Sequence, residues 1–217
     1  VQKVAHSFEH VTPAPVGNRQ RILVSYVSGQ SNVLMKAAEL GLPVEKGSPE
    51  ALSILQNLKE LEEQGYEFEA AEASFELLIR KHIKTYTPLF ELKEYDCTFR
   101  RDGERDYQAC SATVKLIVNG VEEYRVAEGD GPINALDAAL RKALRPAYPY
   151  IDEMELEDYK VRIVDSHMGT AAKTRVLILS SDHHSSWGTV GVSYNIIEAS
   201  WRALVDSVEY FLAKKRA

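Results

Sequence analysis

The apolar positions of this chain change period once, near Pro88. Upstream of it they recur at helical spacing. Leu52, Leu55, Leu58 and Leu61 follow Ser48-Pro49-Glu50, where a serine caps a helix and a proline suits its first turn, and Gly65 is the stop signal. Asn32 is placed to cap an earlier helix through Leu40, closed by Gly41 and Pro43, and Phe68 to Ile79 reads as a third amphipathic helix. A β-rich run, Arg21 to Val27, precedes all three. Downstream of Pro88 the pattern alternates. Phe90 to Phe99 and Cys110 to Val118 predict strands joined by a turn at Arg101-Asp102-Gly103, and Asn119-Gly120 is a two-residue hairpin signal leading to a strand from Val121 to Ala127. A helix from Pro132 to Leu144 follows, ended by Pro146 and Pro149. The same order then returns: strands at Tyr159 to Val164, Thr174 to Leu179 and Trp187 to Ser193, and a helix from Asn195 to about Lys214.

Gly131-Pro132 before the first of these helices is matched by Gly191-Val192-Ser193 before the second, and Ala143-Leu144 by Ala203-Leu204. A lone βββα unit leaves a sheet face and a sheet edge uncovered. Two units related by an approximate two-fold axis, with helices covering one side, remove that problem. The expected fold is therefore α+β: a helical linker over residues 1–87, then a duplicated βββα domain over 88–217, with repeats at about 88–147 and 156–217.

Composition narrows the class. Hydrophobic residues make up 45% and charged residues 27%, which supports a packed core. The apolar runs are too short to cross a bilayer, and Val1 to Pro15 lacks a secretion signal, so a cytoplasmic location with no membrane contact is expected. The opening Val1, in place of methionine, suggests a processed or excised chain. Net charge is −6, and the one basic cluster, Lys214-Lys215-Arg216, suits a solvated helix end, so nucleic acid is not an expected partner. Cys97 and Cys110, on neighbouring strands, are expected as reduced thiols.

The most informative local segment is Gly129-Asp130-Gly131-Pro132-Ile133-Asn134, at a strand-to-helix junction. Free N–H groups and the helix dipole there favour a carboxylate or phosphate. The same residues also make a plain capped turn, and the sequence leaves both open; the spacing is not a dinucleotide fingerprint. Leu156, Tyr159 and Ile163 form a second group at the entry to the second repeat. Leu156, Val161 and Ile163 read as core, whereas Tyr159 needs a partner for its hydroxyl. His167, His183 and His184 suit exposed loops better than a metal site, and His6 and His10 precede Pro13 and Pro15 in an extended stretch. Asp152, Glu153, Glu155, Glu157 and Asp158 read as a solvated acidic loop. With no Gly-x-Ser-x-Gly elbow, no catalytic site and no bound metal are expected in these residues.

Longer motifs carry a resemblance. Phe8-Glu9-His10-Val11, Val16-Gly17-Asn18, Ser28-Gly29 and Ser31-Asn32 resemble the region after the catalytic barrel of citramalate synthases, relatives of the 2-isopropylmalate and homocitrate synthases. Gly65-Tyr66, Phe68-Glu69 and Ala71-Glu72-Ala73-Ser74-Phe75-Glu76-Leu77-Leu78 are similar to their linker helices. Gly129-Asp130-Gly131-Pro132, Asp158-Tyr159-Lys160-Val161-Arg162-Ile163, Gly169-Thr170 and Trp187-Gly188-Thr189-Val190-Gly191-Val192-Ser193 resemble their regulatory, allosteric dimerisation domain.

The resemblance implies a parent acyltransferase that condenses acetyl-CoA with a 2-oxo acid, pyruvate in the citramalate branch, in a β/α barrel holding a divalent metal. The barrel's His-x-His motif is absent here, a linker histidine of relatives would fall before Val1, and Phe8 stands where a tyrosine is usual. The resemblance further implies a homodimer that binds a branched-chain amino acid for feedback inhibition, lined by Ile133, Asn134, Leu156, Tyr159 and Ile163. The citramalate branch implies isoleucine, the isopropylmalate branch leucine, and a ligand-free dimerisation module remains a third reading.

Overall fold

A computed structural model describes residues 30–42, 44–83, 86–102 and 107–216. The run from Arg21 to Val27, His6, His10 and Gly103 lie outside the described residues. The linker contributes α1 (Gln30–Glu39), α2 (Pro49–Glu63) and α3 (Glu72–His82). Asn32 lies within α1, past its first residue. In α2 the expected cap is present: the Ala51 N–H donates to Ser48 Oγ at 3.1 Å, with Pro49 opening the helix.

The buried stripe of α2 is Ala51, Ile54 and Leu58, while Leu52 is 58% exposed. A strict three-residue spacing drifts around a helix of 3.6 residues per turn, so Leu52 rotates outward and Ile54 takes the core position. Gly65 follows with φ +104°, and a Cβ there would stand 2.8 Å from Val164 Cγ1. The third helix starts later than Phe68. Phe68 sits in a turn, with the Ala71 N–H donating to its carbonyl at 3.1 Å, and buries its ring edge-on to Phe75.

Two antiparallel three-stranded sheets follow, each with its strands in chain order. The first comprises β1 (Glu91–Asp102), β2 (Tyr107–Val118) and β3 (Val121–Gly129), and α4 (Pro132–Leu144) packs on it. Asn119 and Gly120 have φ of +51° and +79°, the left-handed pair of a type I′ hairpin. A short 3-10 helix (Pro149–Glu153) leads into β4 (Glu155–Ile163). Another, Ser166–Ala171, precedes β5 (Thr174–Ser181), then β6 (Ser186–Ser193) and α5 (Ile196–Arg216). β4 starts earlier than expected, so Glu155, Glu157 and Asp158 belong to a strand, not to an acidic loop. An edge strand open to water tolerates these carboxylates, which also discourage pairing with other chains.

The duplication is sharper in three dimensions than in the sequence. Glu91-Leu92 and Glu94-Tyr95 in β1 correspond to Glu155-Leu156 and Asp158-Tyr159 in β4, and both strands shift register at the same step. Cys97 then matches Val161, and Phe99 matches Ile163. The main core joins both repeats: Ala112, Val114 and Leu116 of β2, Val176 and Ile178 of β5, Leu136 and Leu140 of α4, and Leu204, Val208 and Phe211 of α5. A second core lies in the linker, where Ile54, Leu58, Phe75 and Ile79 pack with Val190 and Val192 of β6.

β6 is therefore buried on both faces. A Cβ on Gly188 would stand 1.9 Å from the Ala70 carbonyl oxygen on the linker side, and one on Gly191 would stand 2.1 Å from the Ala199 carbonyl oxygen of α5. Only glycine lets both backbones come this close.

Candidate functional site

The start of α4 is built by backbone. Gly131, extended at φ −161° and ψ 173°, is the N-cap and has no side chain to offer as a cap. Pro132 has no N–H, and the Ala135 N–H donates to the Gly131 carbonyl at 2.9 Å. The amides of Ile133 and Asn134 are left without intrahelical acceptors. The Asn134 side chain curls back, its Oδ1 accepting from the Asp130 N–H at 3.2 Å, which shapes the turn. Gly129 is required beneath it, because a Cβ there would lie 2.5 Å from the Ala135 nitrogen. Asn134 is exposed, and Ile133 is half-buried against the main core.

On β4, Leu156 pairs with Ser180, Tyr159 with Ile178, Val161 with Val176 and Ile163 with Thr174. Directly paired residues point to the same side of a sheet. Ser180, Ile178 and Val176 are buried, so these four point to the helix side. Yet Leu156 is 42% exposed, Val161 41% and Ile163 60%. The expectation that these three belong to the core is corrected: α5 packs over β5 and β6, and edge strand β4 extends beyond its cover. Tyr159 is half-buried, and its hydroxyl does find a partner, Ser200 Oγ on α5. Ser200 Oγ itself donates to the Ile196 carbonyl at 2.6 Å, which makes Tyr159 the donor to Ser200.

The five candidate residues thus form two groups. Ile133 and Asn134 share the first turn of α4, and Leu156, Tyr159 and Ile163 share one side of β4. Ile133 and Tyr159 touch the same core, but among the described residues no hydrogen bond or ion pair joins the two groups. None of the five lines the cavities seen at the linker. One, of about 230 Å³, lies between α2, α3 and α5 beside Asn57, Ser74 and Asp206. Another, of about 290 Å³, lies beside Leu92, Tyr95, Glu198 and Trp201, and a third, of about 320 Å³, beside Lys173, Tyr194 and Arg202.

Tyr95 was not singled out from the sequence, although it is the counterpart of Tyr159. Its hydroxyl donates to Glu198 on α5, and its ring packs on Trp201 at 4.9 Å between centroids. Burial and then the Glu198 carboxylate push the Tyr95 phenol well above its ordinary value. Burial opposes ionisation of Glu198, but hydrogen bonds from Tyr95 and from Arg202, at 2.7 Å, hold its carboxyl below the usual range. The signal that could have found Tyr95 is the shared Glu-Leu-x-(Glu/Asp)-Tyr pattern of the two first strands.

Polar contacts fasten the linker to the second βββα repeat. Ser74 Oγ donates to Asp206 Oδ2 at 2.8 Å and accepts from the Val190 N–H at 3.0 Å. Lys81 Nζ lies 2.8 Å from Glu209 and 3.5 Å from Asp206. Burial raises the Asp206 carboxyl, against the pull of Lys81. His183 and His184 are exposed between β5 and β6, and among the described residues no three His, Cys, Asp or Glu side chains gather as a metal site. No described helix is long and apolar enough to cross a membrane.

Comparison with known proteins agrees with this architecture. The chain is 48% identical to the (R)-citramalate synthase of Aquifex aeolicus over 214 residues, covering 99% of this chain and 40% of that protein. It is 47% identical to the (R)-citramalate synthase of Geobacter sulfurreducens, with 99% and 40% covered, and 50% identical to that of Synechocystis, with 98% and 39% covered. The chain therefore spans about 40% of the length of these relatives. Residues 69–212, which take in α3, both sheets and most of α5, match the LeuA allosteric (dimerisation) domain, and the chain belongs to that family.

Proposed function

We propose that this chain is the regulatory part of an acetyl-CoA-dependent (R)-citramalate synthase and that it binds a branched-chain amino acid, isoleucine foremost, as a feedback inhibitor. The observation that carries the reading is the uncovered apolar side of β4. Leu156, Val161 and Ile163 face the helix side of their sheet without a helix above them, next to the Tyr159 hydroxyl. A strip of that kind suits an aliphatic side chain, and the free amides at the start of α4 suit a carboxylate. In a homodimer the α4 turn of one subunit and the β4 strip of the other supply the two halves of one niche, which accounts for their separation in a single chain. The relatives' identity as citramalate synthases and the family's description as an allosteric dimerisation domain support the same assignment.

Effector binding favours a less active arrangement of the whole synthase through a coupling of about 1–3 kcal/mol. The acyl transfer and its divalent metal belong to parts of the parent outside these residues. Isoleucine, leucine and valine differ by a methylene or by branching, worth about 1–3 kcal/mol in an apolar niche.

Calorimetric titration of the chain with each of the three amino acids tests the reading. Isoleucine is expected to bind more tightly than leucine or valine, and Tyr159→Ala is expected to weaken it about tenfold or more while sedimentation still reports a dimer. Leucine preference would place the parent in the isopropylmalate branch. Silence for all three would leave a dimerisation module without a ligand. Unchanged affinity in Tyr159→Ala would remove β4 from the site.

A further inference from the structure

Cys97 and Cys110 are the only cysteines of the chain, and both are free thiols. Cys97 on β1 pairs with Ala112, and Cys110 on β2 pairs with Phe99, so the two are diagonal neighbours. Their positions alternate with residues of the opposite face, which puts both thiols on the side covered by α4. Their sulfurs lie 3.6 Å apart. The Cys97 sulfur also approaches the Pro132 carbonyl oxygen, at 3.8 Å, in the first turn of α4. The two differ in access: Cys97 is half-buried, whereas Cys110 is buried.

We propose that Cys97 and Cys110 are a thiol–disulfide modification site that takes a low-molecular-weight disulfide as its oxidant and closes to a reversible intrachain bond. The Cys97 thiolate attacks one sulfur of the small disulfide, expels one small thiolate and leaves a mixed disulfide on β1. The Cys110 thiolate then attacks the Cys97 sulfur and expels the second small thiol. Two S–H bonds are lost, one S–S bond is gained, and the small disulfide is reduced to two thiols. Access sets the order, since the outer thiol meets the oxidant and the buried one resolves the intermediate.

Closing the bond brings the sulfurs from 3.6 Å to about 2 Å and removes the thiol hydrogen that Cys97 directs at the Pro132 carbonyl. With the Cys97 sulfur only half-buried and open to a small thiol, the bond is readily reduced, which suits a labile modification more than a permanent staple. Burial and the hydrogen bond with Cys110 push the Cys97 thiol up to about 11. Thiolate is scarce near neutrality, so the exchange is slow there and accelerates as pH rises towards that value.

The test is equilibration of the folded chain with oxidised glutathione, followed by intact mass and thiol counting. The wild-type chain is expected to become lighter by about two mass units with no free thiol left, and to regain both thiols in excess reduced glutathione. Cys110→Ala is expected to trap one glutathionyl group on Cys97, and Cys97→Ala to stay unmodified while folded. Amide hydrogen exchange at Ala135 and Leu136, the first hydrogen-bonded N–H groups of α4, is expected to quicken in the oxidised chain, a readout independent of any effector. Two intact thiols after equilibration, a stable glutathionyl adduct on the wild-type chain, or a bond that withstands excess glutathione would overturn the site. Unchanged exchange at α4 would overturn its link to that turn.

Discussion

Gly188 and Gly191 occupy one strand but answer to different neighbours, the Ala70 carbonyl of the linker and the Ala199 carbonyl of α5. A methyl group at 188 meets backbone, which cannot rotate aside as a side chain can. Gly188→Ala is expected to cost about 1–3 kcal/mol in denaturant unfolding and to expose α3 to limited proteolysis, with β1 to β3 still protected. Asp182 is a second residue with a defined job. It orders the turn after β5, its Oδ1 accepting from the N–H groups of His184 and Ser185, while Lys214 Nζ lies 3.0 Å from Oδ2. Burial opposes its ionisation, but Lys214 and the two amides hold the carboxyl far below the usual carboxylate range. A depressed folded pKa means stability present above the unfolded value, about 3.9, and lost as pH falls through the folded one. Unfolding free energy measured from about pH 6 down to about pH 3 is expected to fall more steeply in wild type than in Asp182→Asn.

At the scale of elements, α2, α4 and the Asn119-Gly120 hairpin were legible because each is specified locally. Ser48, Pro49, Gly131-Pro132 and the turn residues carry their own geometry. The β4 edge was not legible, because alternation reports which side a residue faces and is silent on whether a helix reaches over it. Leu156, Val161 and Ile163 have core chemistry and open positions, and the difference arises from where α5 lies. For the same reason the sequence identified the two groups of candidate residues but not their separation, which depends on how the repeats pack. The contact of α3 with β6 and α5 also escaped local reading, since Ser74, Val190 and Asp206 meet only in the folded chain. Ser74→Ala removes the acceptor of the buried Val190 N–H and a donor to Asp206. It is expected to lower stability by about 1–3 kcal/mol, read as a shift of the urea midpoint with little change in slope.

At the scale of the molecule, duplication supplies the architecture and asymmetry supplies the use. Both repeats share the first-strand pattern and one core, but the linker helices pack on the second repeat through Val190 and Val192. On the first repeat, Tyr124 and Val126 of β3 remain exposed on the face away from α4. The doubly covered β6 carries a mechanical consequence. A single layer of backbone separates α5 from the turn at Ala70 there, with glycine at the tightest approach on either side. A displacement of α5 therefore has two short routes to the linker, this glycine-lined layer and the direct Ser74–Asp206 and Lys81–Glu209 contacts beside it. With so little compressible filling between them, the linker and the second repeat are coupled as stiff neighbours, and a shift of one is passed to the other with little loss.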